Sequence, residues 1–462
     1  MIGAEGRHMM NVVNPATGKV EREWAEHAPD AIDQLLHRAE AGFHRWRRRN
    51  VDERCGCFAR MATLLRSRRE TLAALMTREM GKPITAALAE IEKCAAACQW
   101  AAENGAKILE PRIVASDATR SLVRYDPIGP ILAIMPWNFP FWQVYRFAVG
   151  ALVAGNTAIL KHAPNVPGCA EAIEQLFAEA GFGDGVMVSI RIADNSEAQR
   201  LVEDQRVRAV TLTGSTRAGI AVASAAAMKL KRTVLELGGS DAFIVLADAD
   251  VESAAKHAAM ARCINSGQSC IAAKRFIVER PVFDDFCRAM VDAMNGLKIG
   301  DPMDWATEIG PLAREDLLEN IERQCNESVA AGAELLCGGH RLKRPGFYFE
   351  PTLLSRVTAK MPAVCEETFG PLAAVMAAQN RRHAIELANQ SEYGLGASIW
   401  TRDTAAAEAM AGELECGSVF INGIVKSDPR LPFGGIKHSG WGRELSAEGV
   451  REFTNVKTVW AA

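Results

Sequence analysis

No run of eighteen apolar residues occurs in the 462-residue chain, so no segment reads as a membrane-spanning helix. Neither sign of charge dominates: 53 Lys and Arg stand against 56 Asp and Glu, a net charge of -3. That balance leaves no electrostatic footprint for nucleic acid. The densest basic run, Arg45, Arg47, Arg48 and Arg49 around Trp46, is short and reads as the solvated face of a helix. Internal repeats and low-complexity tracts are absent, and 48% apolar with 24% charged residues is the profile of a packed globular protein. Met1 to Met10 match no targeting pattern and read as a loose tail, with Met9 or Met10 as alternative starts, so a cytoplasmic enzyme is expected. The twelve cysteines are spread over a long chain with no secretory signal before them, and they read as reduced thiols. Cys55 with Cys57 and Cys94 with Cys98 lack the further Cys/His pair of a zinc site. They read as small buried residues, and no metal is expected.

What is present is a change of texture along the chain. From Pro29 to about Lys107 apolar residues recur at helical spacing, with Met80-Gly81-Lys82-Pro83 as a stop. From Gly129 short β-rich runs alternate with helical ones: PILAIMPW, TAILKHAP, GVMVSIRI and RAVTLTGS. That alternation reads as βαβ units on a parallel sheet. A second α/β stretch begins near Leu235 and includes strands at RFIVER, AAVMAA and ASIWT, joined to the first at the Gly238-Gly239 turn. The segments ILEPRIVASDATRSLVRYDP and REFTNVKTVWAA fit neither sheet; their strand-like alternation makes them candidates for an oligomerisation flap.

Three segments carry candidate chemistry. In Cys263 to Arg275 a helical pattern stops, Gly267 turns the chain, and Cys270 is presented before a new strand. A nucleophilic thiol needs such exposure, although an inert small residue fits the same position. Glu236 lies in the apolar LELGG run, where burial either tunes a general base upward or demands a salt-bridge partner. Asn138 stands between Pro136 and Pro140; a stiffly held amide suits an oxyanion donor, and an Asn turn suits the same residues.

Together these segments resemble the aldehyde dehydrogenase superfamily over essentially the whole chain. The matches are PWNFP at 136 to 140, LTGSTRAG at 212 to 219, LELGG at 235 to 239, GQSC ending at Cys270, EETFGP at 366 to 371 and LPFGGIKHSGWGRE at 431 to 444. The resemblance is closest to bacterial succinate-semialdehyde dehydrogenases, which keep the phrases LKHAPNVPG and LELGGSDAF. It implies an α/β fold of two Rossmann-like domains with parallel sheets plus a small β flap. The cofactor-binding domain would span 1–107 and 128–237, the catalytic domain 238–448, and the flap 108–127 and 449–462. It implies a homodimer or homotetramer acting on a small-molecule aldehyde, with NAD or NADP.

The implied chemistry is a thioester route. Cys270 attacks the aldehyde, the oxyanion is held by Asn138 and the Cys270 backbone N–H, hydride passes to the nicotinamide, and Glu236 activates water against the thioester. Glu444 resembles the distal proton acceptor; a surface or capping carboxylate is the alternative. For the cofactor, Gly214, Ser215 and Gly219 form a glycine turn that departs from G-x-G-x-x-G but opens a helix toward the pyrophosphate. Pro136, Trp137 and Leu237 would line the cofactor site, Lys161 would reach the adenosine ribose, and Glu367 and Phe369 would hold the nicotinamide ribose and ring. Pro164 stands where NAD-preferring relatives often carry Glu, so the NAD/NADP preference stays open.

Arg146, eight residues after Asn138, occupies the spacing at which succinate-semialdehyde dehydrogenases place a carboxylate-clamping arginine. An Arg stacked on Trp142 or paired with an acid elsewhere is the alternative. Their second clamping arginine is Ile264 here, and Lys426 or Arg430 would supply the missing charge at the tunnel mouth. Trp137, Phe141, Trp142 and Phe433 would form an apolar lining, which also suits unsubstituted aliphatic or aromatic aldehydes. A CoA-acylating or acyl-phosphate-forming relative, and a catalytically silent binding protein, are further readings; Cys270, Glu236 and Asn138 together argue against both.

Overall fold

The computed structural model describes residues 9–462. The expected tail lies outside the described residues as far as His8, and its last two residues open a strand. That strand, Met9–Asn14, forms an antiparallel hairpin with Lys19–Ala25, which the sequence reading does not anticipate because Lys19–Ala25 is mostly exposed and charged.

Four helices follow, bounded by local signals. Pro29–Trp46 starts on a proline with Asp30 in its first turn. Val51–Ser67 starts on Asn50, which shares a reciprocal capping box with Glu53. Arg69–Met80 stops at Gly81, whose φ of 78° favours glycine. Ile84–Ile108 follows Pro83 and packs between Val51–Ser67 and the helix Trp142–Val153. The basic run closes the first of these helices, and two of its arginines bind backbone: Arg45 donates to Asp184 O and Arg49 to Gly181 O, each at 2.9 Å.

The first sheet has the order Gly440–Trp441, Arg232–Glu236, Ala209–Thr213, Pro130–Met135, Thr157–His162, Met187–Ile190. It is parallel except for its Gly440–Trp441 edge. Its inner strands are apolar and buried on both faces, as a helix-covered parallel sheet requires. The chain winds outward from Pro130–Met135 in one direction, then returns beside it at Ala209–Thr213 and winds the other way. Such a reversal opens a crevice at the strands' carboxyl ends. The segments Pro136–Asn138 and Gly214–Ser215 emerge there.

The second sheet has seven strands, ordered Glu334–Cys337, Thr352–Ser355, Leu372–Ala378, Arg275–Glu279, Ala242–Val245, Gly396–Trp400, Ser418–Ile421, with only the first antiparallel. Cys270 precedes its central strand. Arg112–Ile113, Arg120–Pro127 and Thr454–Ala461 form a separate antiparallel sheet, paired from Thr454 opposite Pro127 to Ala461 opposite Arg120. The C-terminal boundary differs from the expected 238–448 division. Gly440–Trp441 pairs with Leu235 and Glu236 of the first sheet, and the helix Ser446–Glu452 packs on Trp142–Val153. Glu444 is thereby carried back to the crevice.

Candidate active site

Asn138 is positioned by a rigid surround. His162, buried at the end of its strand, has its pKa lowered to about 4, mainly by burial, and is therefore neutral. One ring nitrogen donates to Pro140 O at 2.9 Å and the other accepts from Ala163 N at 2.9 Å. Helix Trp142–Val153 has no side-chain cap of its own. Glu90, from Ile84–Ile108, supplies one: its Oε1 accepts from the amides of Phe141 and Trp142, each at 2.9 Å. The other Glu90 oxygen pairs with buried Lys82. Asn138 Nδ2 donates to Gln268 O at 3.0 Å, and its second hydrogen remains available for an oxyanion.

The Cys270 turn is held from beneath. Asn265, Ser266 and Gly267 have φ of 53°, 55° and 79°, an unusual left-handed run before Cys270. Asn265 Nδ2 donates to Asn138 O at 2.8 Å and to Gln268 O at 3.1 Å. Gln268 Oε1 accepts from Ala313 N at 2.8 Å. Lys274 Nζ donates to the carbonyls of Ser269, Cys270 and Ala272 at 3.1, 2.9 and 3.1 Å. The half-buried Cys270 thiol is pushed up to about 12, chiefly by burial, with Arg146 and Lys274 opposing and Glu236 and Glu367 adding to the rise. It rests protonated. A Cβ on Gly267 would lie 2.2 Å from the Gly370 carbonyl carbon. Gly267→Ala is accordingly expected to destabilise the fold by about 3 kcal/mol or more, lowering the thermal midpoint, and to cut kcat/KM at least about tenfold by moving the thiol; wild-type thermal stability in a melting experiment would show that the turn tolerates a side chain.

Behind the thiol lie two carboxylates and one guanidinium. Glu236 is buried, and neither carboxylate oxygen has a hydrogen-bond partner. Burial pushes its carboxyl up to about 8; Arg146 opposes the shift and Glu444 reinforces it. Gly434, lacking a Cβ, leaves room beside Glu236, since a methyl there would sit 2.9 Å from Oε1. Arg146 Nε pairs with Glu444 Oε2, Nη2 donates to Thr213 Oγ1 at 3.3 Å, and Nη2 stands 3.8 Å from Glu236. Its guanidinium lies 4.5 Å from the Phe433 ring centre. Phe433 and Glu444 exchange two backbone hydrogen bonds of 2.8 Å, tying the LPFGG turn to Glu444. Burial also raises the Glu444 carboxyl, with Arg146 opposing.

Arg146 thus differs from the expected free clamp. It is buried among acids and does not line the cleft at Cys270, because a guanidinium between two buried carboxylates is matched where it stands. Lys426 is exposed, and Arg430, also exposed, pairs with Asp428 at 2.6 Å. Neither supplies buried charge. Trp142 is buried and donates from Nε1 to Ser427 Oγ at 3.1 Å, a polar contact at odds with a purely apolar lining.

The cleft in front of the thiol has a cavity volume of about 200 Å3 and is lined by Pro136, Trp137, Asn138, Gly214, Ser215, Leu237, Cys270, Glu367 and Phe369, together with Gln143, Thr213, Gly238, Arg314 and Leu317. The last five escaped the sequence reading; Arg314 and Leu317 sit in no chemical motif and reach the cleft only through the fold. Ser215 caps the helix Thr216–Ala227 through Ala218 N at 3.3 Å. Gly219 lets that helix approach Leu237, where a Cβ would fall 2.6 Å from the leucine methyls. Glu367 Oε1 accepts from Gly239 N at 2.9 Å, and Phe369 meets Trp137 edge to face at 5.7 Å. Lys161 is buried at its strand end, its pKa lowered mainly by burial while Glu26 opposes. Pro164 is exposed. A helix N-terminus, an aromatic wall and a glycine-cleared floor in one cleft fit a dinucleotide.

Residues 2–459 match the aldehyde dehydrogenase family. The chain is 48% identical to the NAD(P)+ succinate semialdehyde dehydrogenase Sad of Escherichia coli, covering 97% of each chain. It is 45% identical to the NADP(+) succinate-semialdehyde dehydrogenase 1 of Mycobacterium tuberculosis, over 97% of this chain and 99% of that one. The crystal structure of succinic semialdehyde dehydrogenase from Streptococcus pyogenes in complex with NADP+ superposes with a TM-score of 0.95 at 35% identity, covering 98% of this chain and 99% of that one.

Proposed function

We propose, from the premise that this chain belongs to the aldehyde dehydrogenase family, that it oxidises succinate semialdehyde to succinate with NAD or NADP through a thioester on Cys270. The observation carrying the reaction type is the convergence of a turn-mounted thiol and an amide with a free hydrogen at one cleft, with a buried carboxyl that lacks hydrogen-bond partners and is felt at the thiol. The substrate follows from the names of the relatives that the chain matches over 97% of its length.

Gly214, Ser215, Leu237, Glu367, Phe369 and Trp137 would hold the dinucleotide, with Lys161 at its ribose end. When bound, the nicotinamide supplies the hydride acceptor. Cys270 loses its thiol proton and adds to the aldehyde carbon; Glu236, whose charge is felt at Cys270, has free oxygens to receive that proton. The second Asn138 hydrogen and the Cys270 amide stabilise the oxyanion. Glu236 then takes a proton from water as the water attacks the thioester, and acid and free thiol result. Arg146 stands between Glu236 and Glu444 and stabilises the carboxylate that forms when either gives up its proton. The flap exposes Val456, Val459, Trp460 and Ile113, a face suited to homodimer or tetramer contacts, and the unpaired cysteines fit a cytoplasmic enzyme.

The test is a panel of succinate semialdehyde, hexanal and benzaldehyde, each with both cofactors. The expected result is a kcat/KM for succinate semialdehyde at least about tenfold above the others. Preference for hexanal or benzaldehyde would overturn the substrate assignment.

A further inference from the structure

Met80-Gly81-Lys82-Pro83 reads in the sequence as a helix stop, yet its two inner residues reach toward opposite halves of the reaction centre. The Gly81 backbone packs against the stretch 310–313: a Cβ on Gly81 would fall 2.7 Å from Pro311 Cγ, and one on Gly310 would fall 2.4 Å from Gly81 O. That stretch holds the Cys270 turn. Gly310 N donates to Ser266 Oγ at 3.0 Å and Ala313 N to Gln268 Oε1 at 2.8 Å. The Lys82 side chain reaches instead the segment that follows Asn138. Its Nζ lies 3.7 Å from the Phe139 ring centre and pairs with Glu90 Oε2, and both side chains of the pair are almost wholly buried. Glu90 Oε1 in turn accepts from the amides of Phe141 and Trp142. Lys82 and Glu90 thus meet the chain at Phe139, Phe141 and Trp142, directly after the amide at the cleft.

A buried ion pair adds little net stability over an apolar pair of the same shape. What this one supplies is direction, because the two Glu90 oxygens are held by different partners and the carboxylate cannot turn. Asn138 needs such a brace. Its side chain donates to Gln268 O and its carbonyl accepts from Asn265, and both of these tethers come from the Cys270 turn itself. His162 adds a hold on Pro140 O. We propose that Lys82 and Glu90 are positioning residues for the reaction: they fix the segment 139–142 from behind and set where the free Asn138 hydrogen stands relative to Cys270. This rests on the oxyanion role given to Asn138 above. With the Gly81 backbone against the stretch that holds the thiol's turn and the Lys82 side chain against the segment that carries the amide, one helix stop fixes the separation of the two groups.

The experiment is a double-mutant cycle in the full-length enzyme, with Lys82→Met made in the wild type and in Asn138→Ala. A paired variant, Lys82→Met with Glu90→Gln, leaves no charge buried alone and carries the same expectations should Lys82→Met fail to fold. Two rates are measured: kcat/KM for the aldehyde preferred in the panel above, and alkylation of Cys270 by iodoacetamide, followed at the Cys270 peptide by mass. Alkylation displaces iodide and forms no oxyanion, so it reports on the thiol without the amide. Asn138→Ala alone is expected to lower kcat/KM about 10²- to 10³-fold. Lys82→Met is expected to lower it about 10- to 100-fold with Asn138 present and less than about twofold once Asn138 is alanine. Alkylation should stay within about twofold of the wild-type rate, because the turn that carries the thiol is held by other residues. An equal loss in both backgrounds, a loss below about threefold with Asn138 present, or a fall in alkylation that matches the fall in kcat/KM would overturn the proposal. A loss under about tenfold in Asn138→Ala overturns the oxyanion role of Asn138 instead.

Discussion

Cys270→Ala is expected to lower turnover by at least about 10⁴-fold while dinucleotide binding persists. The thiol is the cysteine side chain at the cleft to which the proposed covalent bond is assigned, and it does not hold its own turn. Lys274 secures the turn through three carbonyls, Gln268 through Ala313, and Asn265 through Asn138. Alanine therefore removes the thiol and leaves the turn in place. Titration of cofactor fluorescence reports binding, and absorbance of the reduced nicotinamide reports turnover. Residual activity within about a hundredfold of wild type would mean that the reaction does not pass through Cys270. Cys270→Ser should be nearly as slow, since a hydroxyl resists deprotonation far more than a thiol does.

The parts of this site that were legible in the sequence are those whose chemistry is written locally. Asn138 stands between two prolines, Cys270 follows a glycine turn, and Glu236 interrupts an apolar strand; each is conspicuous against its own neighbours. The two α/β sheets were legible for the same reason, since strand and helix patterns alternate within a few residues of each other. Arg146 was conspicuous too, and its spacing suggested a clamp. Its partner Glu444 lies 298 residues further along the chain, brought back by a two-residue strand at Gly440–Trp441 that no periodicity marks. Glu90 was hidden for another reason: on an Ala-rich amphipathic helix a charged residue reads as solvated face. Lys274 had a weak signal, a cation just before the buried strand Arg275–Glu279, but only the fold shows that it grips the Cys270 carbonyl. His162 was masked likewise by its place at the end of an apolar strand. What escaped are thus residues that act through backbone groups distant in sequence.

Glu236→Gln is expected to slow turnover about 10²- to 10⁴-fold and to change which species accumulates. Two carboxyls and one guanidinium share a buried site, and both carboxylates cannot be answered by a single Arg146. Arg146 pairs directly with Glu444 and stands 3.8 Å from Glu236, so Glu236 is the acid that keeps its proton, up to about pH 8. The sign follows from the direction of that shift. Below this value Glu236 is largely protonated and cannot take a proton from water; above it the base form prevails, so a hydrolysis-limited kcat should rise with pH through about 8 and then level. Glutamine has the same shape and no basic oxygen at any pH, so the rising limb should disappear in the variant. Addition at Cys270 keeps the thiol, Asn138 and the cleft and loses only the acceptor of the thiol proton, which solvent can replace, whereas hydrolysis loses the base that activates the far less acidic water; the acyl group should therefore remain on Cys270, detectable by intact-mass measurement after quenching. If the variant keeps the rising limb with no acylated cysteine, water is activated by another group, and the buried carboxyl of Glu236 serves the charge balance around Arg146 instead.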